Sequence, residues 1–212
     1  MSSLPPLSST DRTRLVRHSE RAVTEREALY AVIDECLVGH LALVVDGVPR
    51  ILPFFPWRVG DEVFIHGHLK NSLIVAAAQG APACMTFTLL DGLVMARSAF
   101  HHSANFRSAV VYGTPRLLSD AAEKAAVLHQ MMVKVTPDRA EAIRPANSKE
   151  LNATAVLGLS LAEASLKVRT GGPIDAADDY GLPVWAGVVP LRLEAGVPET
   201  DTNTAPPGPS GY

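Results

Sequence analysis

Cysteine is scarce in this chain. Only Cys36 and Cys84 occur in 212 residues, far apart and each inside an apolar segment. That excludes a disulfide framework, and both read as buried free thiols of a reducing compartment. No apolar run is long enough to cross a bilayer. No charge of one sign dominates: 19 Lys and Arg oppose 22 Asp and Glu, for a net charge of −3. A nucleic-acid or membrane partner therefore has no electrostatic basis. There is no Gly-x-Ser-x-Gly elbow, Walker loop, Rossmann glycine fingerprint or Cys-x-x-Cys, so hydrolase and kinase functions have no positive support. Met1 to Thr10 is Ser/Pro-rich without the basic-then-apolar order of a signal peptide, which makes a cytoplasmic protein the expectation.

What is present is one domain's worth of alternating apolar segments. Residues 1–17 are expected to be a disordered arm, 18–195 the domain, and 196–212, rich in Pro, Thr and Gly, a disordered tail. Thr24-Glu25-Arg26-Glu27 has the form of a capping box. Leu29, Val32, Ile33 and Cys36 follow at helical spacing. Asp46-Gly47, between Val38–Val45 and Val48–Trp57, predicts a hairpin, and Asp91-Gly92, between Ala83–Leu90 and Leu93–Phe100, predicts a second. Gly60-Asp61 marks a turn before a strand over Glu62–Gly67, and a short helix over Leu69–Gln79 stops at Gly80. Ser108–Leu118 predicts a strand and Ser119-Asp120 caps a helix that ends before Thr136-Pro137. A helical turn over Lys149–Asn152 and strands over Ala155–Leu161 and Val188–Leu193 complete the pattern, Pro190 implying an edge or bulge. The connections are too short for parallel crossovers. A mainly β fold follows, a small antiparallel barrel with peripheral helices.

Polar side chains concentrate in two places. Arg97 to Ser108 carries two Arg, two adjacent His and an Asn between β segments, where unpaired burial is costly. Arg97 and Arg107 suit a phosphate or carboxylate, and equally an ion pair within or between subunits. His101 and His102 cannot both face one pocket if they lie on a strand. The second place is His66-Gly67-His68-Leu69-Lys70-Asn71-Ser72, where a strand ends and a helix begins. Free N–H groups with Lys70, Asn71 and Ser72 suit a phosphate; an ordinary capped turn is the simpler alternative. If the strand continues that far, His66 and His68 share a face and, with His101 and His102, could build a metal or haem site. With no Cys pair or His-x-x-x-His helix, hydrogen bonding to a ligand or the backbone is the stronger alternative, and no metal ligands are assigned. Trp185 could stack on a flat ring or close the core. Lys167 to Pro173 reads most simply as a solvated loop.

Asp91–Ser103, Asn105-Phe106-Arg107-Ser108 and Gly113 resemble the flavin-nucleotide-binding proteins related to pyridoxamine 5′-phosphate oxidase, in the nitroimidazole-resistance branch. Arg17–Ala22, His66-Gly67, Lys149-Glu150-Leu151, Lys167–Gly171 and Leu182–Gly187 extend the resemblance across roughly 17–195. It implies an antiparallel split β-barrel and a homodimer with FMN in a groove between subunits. Leu52, Pro53 and Phe54 would run beside the isoalloxazine. His66 would face the substrate side as the catalytic residue, and Gly67 to Ser72 would form the phosphate loop. Thr86 would lie on the adjacent strand, Asn105 and Arg107 would reach across the groove, and Trp185 would contact cofactor. The resemblance implies an oxidoreductase passing electrons from a reduced nicotinamide through FMN to a small acceptor, with a nitroaromatic among the candidates. A haem- or flavin-binding carrier or sensor is the alternative. One departure stands out: Asn71-Ser72 is uncharged where such loops usually carry a basic residue, which leaves Lys70 as the substitute.

Overall fold

A computed structural model describes residues 5–7, 9–137 and 139–203. The strand order confirms a mainly β, antiparallel architecture. One sheet runs β1 (Ala22–Val23), β10 (Ala164–Arg169), β7 (Ser103–Gly113), β6 (Ala83–Met95), β2 (Gly39–Val45), β3 (Val48–Phe54), with β11 (Gly187–Pro190) beside the far end of β6. The other runs β4 (Trp57–Val59), β5 (Glu62–His68), β9 (Thr154–Ser160), β8 (Arg116–Leu117). The chain changes sheet between Phe54 and Trp57, and again between Gly113 and Arg116. Each break contains a proline, Pro56 or Pro115. Proline cannot donate to a ladder and biases the residue before it, so each expected long strand divides in two.

The main core lies between the sheets. Leu41, Met85, Phe87, Val111, Val63, Ile65 and Leu157 meet there, closed by Leu29 and Ile33 of α1 (Arg26–Glu35) and by Leu73 and Ile74 of α2 (Ser72–Ala78). The predicted apolar face of α1 is buried: Leu29, Val32, Ile33 and Cys36 are each at most 2% exposed. A second cluster, Trp57, Phe64, Leu118, Val127 and Val156, lies under α3 (Ala121–Val135), on the outer face of the second sheet. Alternation along β5 explains both: Val63 and Ile65 point to the main core, Phe64 and His66 the other way. Lys134 ties the layers together. Its half-buried ammonium donates to the carbonyls of Cys36 and Pro56 (2.8 Å each) and of Ile33 (3.1 Å), and partial burial lowers its pKa.

Several expectations need correction. Asp46-Gly47 makes its hairpin, both residues at positive φ (52° and 75°). Asp91-Gly92 does not. β6 runs straight through it, and the pairing with β7 shifts register between Leu90 and Gly92, a bulge. Gly92 serves close approach instead, because a Cβ there would meet Val188 Cγ1 at 3.0 Å and the Val189 carbonyl at 3.1 Å. The Thr24 capping box is absent: α1 has Glu25 at its N-cap with no side-chain cap, and the Glu25 carboxylate accepts from the Thr24 N–H. The capping box is found at α4 (Ser148–Ala153), between Asn147 and Glu150. Lys167 and Arg169 are on β10, not in a solvated loop. Part of the 1–17 arm is held by the domain. Leu7 packs in the core and donates its N–H to Thr24, and Thr10 and Arg12 bind Glu163. Of the tail, 204–212 lies outside the described residues. Cys36 and Cys84 are free thiols. Among the described residues no helix is long and apolar enough to cross a membrane.

Lys134→Met should destabilise the fold by about 1–3 kcal/mol, because up to three carbonyls lose their donor. A urea titration checks this; an unchanged midpoint would show that Lys134 does not hold α3.

Candidate functional site

Behind the second sheet lies a cavity of about 470 Å³, lined by His66, by Leu128, His129, Met131 and Met132 of α3, and by segment 140–151. This size suits a cofactor or drug-sized ligand. The wall is mostly apolar, with Leu128, Met131, Met132, Ile143 and Leu151 around one inward imidazole. His66 Nδ1 is buried and has no hydrogen-bond partner among the described residues. The ring stands 5.9 Å from the ring of Trp57. Burial lowers its pKa below the ordinary 6.5, so the imidazole is neutral near pH 7 and has a lone pair to offer. At the rim, His129 Nε2 lies 3.1 Å from Glu141, and Arg144 pairs with Glu150 at 2.7 Å.

Of the residues expected to bind cofactor, only His66 lines this cavity. Gly67 is on β5 of the second sheet but turned toward α2, Lys70, Asn71 and Ser72 lie at the start of α2, and the remaining ones lie on or around the first sheet. Leu52 and Pro53 are exposed on β3, an edge strand that pairs, among the described residues, only with β2, while Phe54 packs against the main core. Thr86 lies on the face of β6 opposite the buried Met85 and Phe87, beside His40. His66 and Thr86 therefore do not share a pocket. Gly67 is small because α2 packs close: a Cβ there would meet Ile74 Cγ1 at 3.1 Å.

The phosphate-loop residues divide. Asn71 is the cap of α2, its Oδ1 accepting from Leu73 and Ile74. Lys70 is exposed, its N–H held by His68 Nδ1 at 3.1 Å. Ser72 Oγ accepts from Arg50 Nη1 at 3.4 Å. Arg50 is the residue that sequence reasoning missed. It brings a guanidinium from β3 to the uncharged Asn71-Ser72 end of the loop. Nothing local in the sequence signals this, because the contact joins positions 22 apart.

Arg107 is committed elsewhere. It donates to both oxygens of Asp91 (3.0 and 2.8 Å) and to Glu35, which locks the β6 bulge to the end of α1. These hydrogen bonds raise the arginine's pKa, and they hold the Glu35 carboxyl below its usual range. Asn105 is buried. It accepts from Arg169 and donates to the Gly171 carbonyl at 3.1 Å. Trp185 is 65% exposed and closes no core, its ring lying over Gly187. His101 and His102 are not on a strand. The turn at Ala99–His101 sends both back to Ser98, His101 to its hydroxyl at 2.7 Å and His102 to its carbonyl at 2.9 Å. They are not gathered with His66 and His68; among the described residues, His101 alone of the four lies in a group of three potential metal ligands.

The pyridoxamine 5′-phosphate oxidase family model matches residues 25–168. The chain belongs to that family. Within the family's fold, the flavocytochrome Anf3 from Azotobacter vinelandii shares 41% identity over 97% of this chain and 96% of its own, with a TM-score of 0.90. An FAD- and haem-binding protein from Mycobacterium smegmatis shares 38% over 87% and 91%, with a TM-score of 0.84. A candidate 5-nitroimidazole antibiotic resistance protein from Bacteroides thetaiotaomicron shares 18% over 69% and 86%, with a TM-score of 0.59, which speaks for the fold alone. A search of curated proteins finds no significant match.

The lowered pKa of His66 predicts a pH effect. Unfolding lets this imidazole take up a proton that the fold disfavours. Its contribution to stability is full above about pH 6.5 and is lost as pH falls through 6.5 toward the depressed folded value. Melting temperatures between pH 7.5 and 5 should fall less steeply in His66→Gln than in the parent. Identical slopes would mean that the ring is not desolvated.

Proposed function

We propose that this chain is a redox protein of two cofactors, a flavin held at the edge of the first sheet and a haem in the cavity behind the second. The carrying observation is the neutral, unpartnered His66 in an apolar cavity of cofactor size, in a chain over 35% identical to a flavocytochrome and to an FAD- and haem-binding protein. His66 would hold the haem iron, and Leu128, Met131, Met132 and Ile143 would exclude water from the ring. Arg144 at the rim could turn from Glu150 to an acidic haem substituent. Such a haem would exchange single electrons. His66 is thereby moved from the substrate side of a flavin, the role the resemblance implied, to the haem cavity.

For the flavin, Arg50, Lys70 and Ser72 would hold the phosphate, and the exposed backbone of β3 around Leu52 and Pro53 would lie along the ring. A bound flavin would take hydride from a reduced nicotinamide and release electrons singly. FAD is favoured over FMN by the name of the 38% identical relative. The chain is proposed to act as a homodimer. Ile51 (59% exposed) and Leu90 (49%) stand on the outer side of the first sheet with Thr86 and Val110, an apolar surface that a second copy would cover. A nitroaromatic compound is one acceptor to try.

Purified protein offered FAD, FMN and haem in turn should show a two-band flavin spectrum and a Soret band. His66→Ala should lose the Soret band and keep flavin affinity within about twofold. Arg50→Gln should weaken flavin binding about tenfold, the effect of losing one charge-assisted contact of about 1.4 kcal/mol. Arg107→Gln should lower the melting temperature and leave both spectra intact. Failure to bind either flavin at micromolar concentration, together with no Soret band, would overturn the proposal.

A further inference from the structure

We propose that His101, Asp175 and Asp179 form a binding site for a divalent transition metal, of the zinc class, that joins two loops at the end of the first sheet. His101 ends the turn in the β6–β7 connection, and both aspartates belong to the segment between β10 and β11. One ligand atom from each residue lies within 4.8 Å of the other two. Zinc bonds of about 2.0–2.2 Å place ligands roughly 3.5 Å apart, so movement of His101 and Asp179 by about 1 Å toward Asp175 supplies three ligands, with water in the fourth position.

Three features organise these groups beyond mere proximity. First, His101 Nδ1 is engaged by the Ser98 hydroxyl at 2.7 Å, the outer contact that orients metal-binding imidazoles, and Nε2 is left for coordination. Phe100 meets the same ring edge-on at 5.3 Å. Second, the Asp175 side chain is fully buried and fixed. Its Oδ1 accepts from the Arg97 N–H and its Oδ2 from Arg97 Nη1, both at 2.9 Å, and each oxygen keeps a further lone pair. Third, the Asp179 carboxylate has no ion-pair or hydrogen-bond partner among the described residues, although it stands against His101 and Asp175.

Charge supports a cation. Two carboxylates against the single guanidinium of Arg97 leave a net −1 on the carboxylate side of the cluster. Chemistry narrows the class. Magnesium and calcium prefer shells of oxygen, whereas one imidazole nitrogen with two carboxylates suits zinc, cobalt or nickel. Arg97 beside Asp175 repels any metal, so affinity is expected to be micromolar rather than nanomolar. The consequence is mechanical. A bound ion cross-links the 97–102 and 174–181 segments, which share no strand pairing with each other. This site stands apart from the flavin and haem proposals.

The test uses the full chain dialysed against chelator. Calorimetric titration with Zn²⁺ should give one site per chain in the micromolar range, unaffected by millimolar Mg²⁺. Co²⁺ should produce visible absorption bands at the same stoichiometry. Asp179→Asn and His101→Gln should each weaken Zn²⁺ binding at least tenfold, while the metal-free melting temperature stays near that of the parent. Absence of binding below about 1 mM overturns the site. So does binding that survives both substitutions, since the metal is then held elsewhere.

Discussion

The ammonium of Lys134 is the contact on which the second layer of this fold depends. It sits where three separate carbonyls converge, from the end of α1, the residue after it and the first proline break. An ammonium has three N–H donors, and here each has an acceptor. That satisfaction offsets the partial desolvation of the charge. The result is that α3 lies flat on the second sheet over Trp57 and Phe64. Without α3 there, His66 would face solvent on an open sheet, and the cavity would have no far wall.

The two prolines set up the space that Lys134 closes. Pro56 and Pro115 fall where the chain leaves one sheet for the other. Each interrupts an apolar run that would otherwise continue as one strand. The sheets can then separate around the main core, and the outer face of the second sheet becomes available to α3. Position 66 is two residues from Phe64, so strand alternation alone decides that its imidazole joins the outer layer and not the main core. A function assigned to His66 follows from that parity.

How much of this was legible differed from element to element. The Asp46-Gly47 hairpin was legible, because two left-handed residues need that chemistry. The identical dipeptide at 91–92 misled, because its aspartate answers Arg107 across the bulge and its glycine makes room for Val188 and Val189. Both causes lie far away in sequence. β10 was hidden by the Gly-Gly-Pro that follows it, although Leu166 and Val168 alternate with Ser165, Lys167 and Arg169. His66 was read together with residues of the first sheet, whereas it lines a cavity under α3, since no sequence pattern says which face of β5 α3 will cover. Arg50 was missed because its partner is on another element. Trp185, where a core role competed with stacking, is exposed.

The arginines divide along a physical line that bears on function. Arg107 meets two carboxylates, so rigidity is what it supplies to the β6 bulge. Arg97 meets one, on a loop. Arg50 meets only a hydroxyl at 3.4 Å, and so keeps most of its charge available. Among the described residues no carboxylate pairs with this exposed cation at the strand edge, so its charge is not offset by an ion pair. Lys70, two residues before Ser72, adds a flexible second charge. The absence of a basic residue at 71 and 72 therefore does not leave the loop neutral. The charge is carried on the neighbouring strand, where its position is fixed by β2–β3 pairing instead of by the loop itself.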